Sequence, residues 1–124
     1  MSRYQHLPIY DAFYRYTNEL YKLKKILPKD LKNDLGEAIC KSSLRGLKLV
    51  VFANGSEKKE APLRDLALEI ETQWVYLRLI HDQKGISLGQ FEVFGKKLTG
   101  IGAQVGAWRK WYREESRKIN STKS

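Results

Sequence analysis

Between three polar breaks, every segment of this chain repeats its apolar residues at the spacing of an α-helix, and none alternates with the two-residue period of a strand. The breaks are LPKD at 27–30, ANGSEKKEAP at 53–62 and DQKGIS at 82–87. They divide the 124 residues into four amphipathic segments with short links. That pattern predicts one all-α domain, an antiparallel up-down-up-down four-helix bundle. The expected helices cover about 9–27, 28–54, 61–83 and 87–113, followed by a polar tail over 114–124 that frays.

The first helix has one seam: Ile9, Phe13, Tyr16, Leu20, Leu23 and Leu27 step by three and four. The third buries Leu63, Leu66, Ala67, Ile70, Trp74 and Leu77, with a side stripe of Leu68, Val75 and Leu79. The fourth opens on Ser87-Leu88-Gly89-Gln90, a capping box, and continues through Phe91, Phe94, Leu98, Ile101, Val105, Trp108 and Tyr112. Gly95, Gly102 and Gly106 share a neighbouring face there. Each glycine costs about 1 kcal/mol of helix propensity, so a close approach of another helix is expected along that face.

The second helix is the most informative. Pro28 suits its first turn, and Asn54-Gly55 offers a left-handed residue to end it. Leu35, Ala38, Ile39, Ser42, Gly46, Leu49, Val50 and Ala53 make one apolar or small face. Cys40, Leu44, Leu47 and Val51 make a second, nearly opposite. Charged residues keep only the arc between them. A surface helix of a monomer needs an apolar stripe of only about 100°. The second face therefore calls for another cover, and a second copy of the chain is the simplest one, with Leu44, Leu47 and Val51 at the contact.

Lysine and arginine number 23 against 14 aspartate and glutamate, a net charge of +9. Such an excess favours polyanionic partners: RNA, DNA, or an acidic protein or membrane surface. Lys41, Arg45 and Lys48 line one face of the second helix, Arg15, Lys22 and Lys25 the outer side of the first, and Arg109, Lys110 and Arg113 the end of the fourth. Each stripe is either a solvated helix face or a row of phosphate contacts. Trp111 falls off the core seam, on a face with Lys97 and Gln104, where it fills a subunit contact or stacks on a base.

Catalytic patterns are missing from the sequence. Two histidines, His6 and His81, and the single Cys40 make neither a zinc set nor a di-iron set, and no phosphate-binding loop joins a strand to a helix. A small enzyme with a site assembled between subunits is a further class, but the sequence offers no ligand set for a metal or cofactor. No enzyme activity, cofactor, metal or small-molecule substrate is expected. The lone cysteine, and the lack of any apolar run long enough to span a bilayer, predict a soluble protein of the reducing cytoplasm.

The order of the motifs resembles a known family. LPIYDAFYRYTNELYKL leads into LPKDLKNDLGEAI; then come VVFANGSEKKEAPLRDLALEIE, LRLIHDQKGISLGQF and IGAQVGAW. Together these resemble the accessory variability determinant (Avd) proteins of diversity-generating retroelements, over about residues 7–111. Pro28 with Leu35-Gly36-Glu37, the Asn54 region before Ala61-Pro62-Leu63, and Gly106 followed by Trp108 carry most of the likeness. The helix 2 opening is shared with the broader group of bundle proteins encoded in intervening sequences of bacterial 23S ribosomal RNA genes, which gives the alternative: an interaction module with no retroelement role. The Avd resemblance implies a basic, ring-like homopentamer that associates with a reverse transcriptase and binds RNA or cDNA without being the polymerase. It does not fix which basic residues touch nucleic acid. Those expectations come from the helical faces: Arg15, Lys22, Lys41, Arg45, Lys48, Arg109, Lys110 and Arg113.

Overall fold

The computed structural model describes residues 4–122, and within them the chain is helical with no strand. A 3-10 turn, Tyr4–His6, leads into helix α1, Pro8–Ile26. Pro8 starts α1, where its missing N–H breaks no bond; Asp11 lies in the first turn and Lys24 and Lys25 in the last, matching the helix dipole. Leu27 is extended, as a residue before proline must be, and Pro28 stands one position before the next helix rather than within it.

The second helix, α2, spans 29–55 in three parts: an α-helical turn Lys29–Leu31, a π-helical segment Lys32–Gly36 and a long body Glu37–Gly55. Backbone angles stay in the right-handed region through both junctions, so the helix is continuous. The π segment inserts one residue and rotates all that follows. Gly36 sits in it, buried against α1: a Cβ there would lie 3.0 Å from Leu27 Cδ1 and 3.2 Å from the Leu31 carbonyl oxygen. Helix α3 is Glu60–Asp82 and helix α4 is Leu88–Thr122.

The ends of these helices show how local chemistry sets the links. Ser87 and Gln90 form the full capping box: the Ser87 N–H donates to Gln90 Oε1 at 2.8 Å, and the Gln90 N–H donates to Ser87 Oγ at 3.1 Å. At the end of α2 no glycine takes a positive φ, contrary to the expectation for Gly55. A cation does the capping instead. Lys59 Nζ donates to the carbonyl oxygens of Ala53, Asn54 and Ser56 at 2.7, 3.2 and 2.5 Å. It thereby satisfies acceptors that a helix C-terminus leaves open, at the negative end of the dipole. Among the described residues the left-handed one is Lys84 (φ 62°), after α3, where the Gly85 N–H donates to the Ile80 carbonyl at 2.8 Å. Replacing Lys59 with methionine is expected to cost about 1.5–3 kcal/mol, the worth of one hydrogen bond to a charged group, because water can take over the remaining acceptors at this half-exposed link. A urea midpoint unchanged by the substitution sinks this account of the cap.

The four helices pack against one another, α1 on α2 and α4, and α3 on α2 and α4. Phe13, Tyr16 and Leu20 of α1, Ile39 and Val50 of α2, Leu63, Leu66, Leu77 and Ile80 of α3, and Leu98 and Ile101 of α4 are sealed from solvent in one core. Each fully buried side chain of this kind contributes about 1.5–3 kcal/mol. Among the small residues, Gly46 permits the closest approach: a Cβ there would stand 2.4 Å from Phe13 Cζ. On α4, a Cβ added at Gly95 would lie 3.2 Å from the Trp74 ring, one at Gly102 would be in ordinary contact with Ile70, and one at Gly106 would face open space. The expected glycine face is thus a single close contact.

Helix α4 continues past Arg113 through the stretch expected to fray. Glu115 and Ser116 are half-buried there and share a cleft with Glu57, Lys58 and Glu60 of the α2–α3 link. Lys118 pairs with Glu115 at 3.4 Å, one turn apart. At 35 residues, α4 is about 52 Å long, against about 28 Å for the 19-residue α1.

Candidate nucleic-acid and subunit surfaces

Carboxylates stand beside the stripe of Lys41, Arg45 and Lys48 on α2. Lys41 pairs with Glu37 at 3.3 Å, and Arg45 Nε pairs across to Glu69 of α3 at 3.1 Å. The Glu69 carboxylate also accepts from Ser42 Oγ at 2.6 Å, so it is fixed in place and mostly buried. Lys48 joins Arg45 on the wall of a groove whose other side carries Asp65 and Glu69, with Leu49, Phe52 and Leu68 between them. Lys41 and Arg45 are thus paired, whereas Lys48 forms no ion pair with a described carboxylate and Asp65 pairs with Arg64 at 3.6 Å. Exposed pairs are each worth at most about 1 kcal/mol, and the carboxylates beside this stripe weaken the local potential that would draw a phosphate.

The other basic groups divide between two places. On α4, Arg113 reaches Glu60 at 3.5 Å, Arg109 is half-buried in a shallow groove with Glu71 of α3, and Lys110 is exposed. On α1, Arg15 pairs with Asp11 at 3.0 Å and Lys22 with Glu19 at 3.5 Å. Arg15 also lines a furrow between α1 and α4, together with Lys96, Lys97 and Gln104. Sequence reading left Lys96 and Lys97 out of the basic set. The signal was their place in α4: Lys97 shares the outer face of Gln104, off the seam of Phe94, Leu98 and Ile101.

The second face of α2 is partly closed by the chain itself. Cys40 is buried, and its thiol pKa is raised by burial, with Lys24 of α1 opposing. Leu47 is half-buried against the core. Leu44 and Val51 remain open, at 47% and 36% exposure, and Phe52 is more exposed still. Tyr14 and Tyr21 of α1 add to the exposed apolar surface. On α3, the side stripe of Leu68, Val75 and Leu79 is exposed as well. Trp111 is 51% exposed and lines the cleft beside Lys58 and Ile119.

Among the described residues no three of histidine, cysteine, aspartate and glutamate converge as a metal ion requires. Nor is any described helix long and apolar enough to cross a membrane. His81 lies against the ring of Phe91, with centroids 5.0 Å apart, and 3.9 Å from Asp82. The described surface carries a cationic furrow between α1 and α4, a groove lined by charges of both signs between α2 and α3, and exposed apolar side chains on α1, α2 and α3. No protein-family model matches the chain, and no curated protein matches it significantly.

Proposed function

We propose that this chain is an accessory, non-catalytic subunit of a diversity-generating retroelement, joining a reverse transcriptase to template RNA or cDNA in the cytoplasm. In this reading it is an up-down-up-down bundle that assembles as a ring, a pentamer by its resemblance to Avd proteins. The observation that carries the reading is the combination of a +9 charge with helices that leave apolar side chains uncovered. A chain of this charge repels its own copies, so a self-association surface must supply apolar burial, and a polyanion must supply the counter-charge. The packing of each helix on its sequence neighbours, and of the first on the last, supports the up-down order.

Exposed apolar side chains on more than one helix also favour a ring, which needs two different contact surfaces on each copy. Leu44 and Val51 lie on α2, and Leu68, Val75 and Leu79 lie on α3. A contact between two different patches is head-to-tail, and head-to-tail contacts close into rings when the rotation permits. Binding to a structured RNA across a salt series, with the mass recorded in the same buffers, tests the reading. The expected result is a mass several times the 14.4 kDa of one chain, and an affinity that falls steeply with salt. A monomer without RNA affinity near physiological salt removes the retroelement role.

A further inference from the structure

We propose that the furrow between α1 and α4, rimmed by Arg15, Lys96 and Lys97, seats the phosphodiester backbone of the nucleic acid; the assignment rests on the nucleic-acid-binding function above. No carboxylate lines this furrow, whereas Asp65 and Glu69 line the groove between α2 and α3. Lys96 and Lys97 form no ion pair with any described carboxylate. Arg15 does hold Asp11, but both groups are mostly exposed and one turn apart on α1. Such a pair is worth about 0.3–0.5 kcal/mol, so exchanging it for a phosphate, which takes a guanidinium through two hydrogen bonds, is favourable.

The shape suits a polymer better than a small anion. The walls include Ala12 and Gly100, and nothing lies within 4 Å of where a Gly100 Cβ would be. These two small residues leave room for a chain to lie along the furrow. Gln104 adds an amide that both donates and accepts. The cations lie on the rim of an open trough, the arrangement that tracks a charged backbone.

The test compares two triple variants in the full-length protein. One carries Arg15→Gln, Lys96→Gln and Lys97→Gln; the other carries Lys41→Gln, Arg45→Gln and Lys48→Gln. Both remove the same formal charge, so a difference between them reports location rather than net charge. Thermal melts and solution mass confirm that each remains folded and assembled. The furrow variant is expected to lose roughly tenfold or more in affinity for the structured RNA, and about 2 in the slope of log affinity against log salt, at roughly 0.7–0.9 per phosphate. The α2 variant is expected to stay within about threefold of the parent. Equal losses from both variants overturn the proposal, because binding then follows total charge. A larger loss from the α2 variant moves the site and overturns it too. If inorganic phosphate at matched ionic strength displaces the RNA where chloride does not, the furrow is a free-anion site and the proposal falls. A parent protein that binds no RNA sinks the function and the furrow together, whereas a parent that binds and a furrow variant that is unchanged sinks the furrow alone.

Discussion

Gly46→Val is expected to lower the stability of this protein by about 2–3 kcal/mol, the upper range for overpacking a tight core. The reason is the crossing of α1 and α2. A Cβ on Gly46 would lie 2.4 Å from Phe13 Cζ and 2.7 Å from Cε2. Phe13 has no solvent exposure, and its ring also packs edge-on against Tyr16, with centroids 6.1 Å apart. The ring has no free space to swing into, so the helices must separate or Phe13 must leave its rotamer. Helix propensity acts the other way. Alanine gains about 1 kcal/mol over glycine in a helix, and valine recovers only part of that. Gly46→Ala therefore sets a small gain against a clash of about 1–3 kcal/mol, and a modest net loss is expected. Gly46→Val adds branches to the same clash with less propensity in return. Its melting temperature is expected to fall by about 10 °C, read by circular dichroism. Shrinking the opposing ring should rescue it: Phe13→Leu combined with Gly46→Val should cost less than the sum of the two single changes. Strict additivity, or a valine variant that melts with the parent, means that the two helices do not meet at this point.

That contact marks the limit of what the sequence made legible. The helical period placed Phe13 and Gly46 on core-facing stripes correctly, because periodicity reports which face is buried. It does not report which residue across the gap will be nearest, so the glycines of α4 drew attention while the tight crossing lay on α2. The capping box at Ser87 was readable because both of its hydrogen bonds are made within four residues. The end of α2 was not: a lysine beyond the helix outcompeted the expected glycine, and its reach across the link is a tertiary fact. The π segment at Lys32–Gly36 left no mark in composition that a helix of ordinary pitch would lack. Charge followed the same division. The stripe of Lys41, Arg45 and Lys48 was visible, but the carboxylates that answer it come partly from α3. Lys96 and Lys97 gained significance only when α4 was laid beside Arg15 of α1.

The other large effect concerns alkaline pH, and it starts from a polar chain inside the core. Tyr16 is fully buried, and its hydroxyl donates to Gln73 Oε1 at 2.7 Å. Gln73 Nε2 in turn donates to the Ile39 carbonyl oxygen at 2.8 Å. One side chain of α3 thus ties α1 to α2, and every polar atom in the chain has a partner. Burial raises the pKa of the Tyr16 hydroxyl far above the usual phenol range, with the nearby Cys40 thiol adding to it. Burial raises that thiol as well. Both groups therefore keep their protons in the folded protein at pH values where the unfolded chain has lost them. Above pH 9.0 for cysteine and 10.0 for tyrosine, the unfolded state binds fewer protons, and stability declines as pH rises. Each group steepens that decline by up to about 1.4 kcal/mol per pH unit. Tyr16→Phe is expected to behave in two opposite ways. At neutral pH it loses the hydrogen bond and leaves Gln73 Oε1 unpartnered in the core, a cost of about 1–3 kcal/mol. Above pH 10 it lacks the group that titrates, so its stability should fall less steeply than that of the parent. Urea midpoints measured from pH 7 to 11 should draw together at the alkaline end. Every other group is common to both proteins and cancels in the difference. Parallel curves mean that Tyr16 reaches solvent before it ionises, and that the chain from Tyr16 to Ile39 is not sealed in the core.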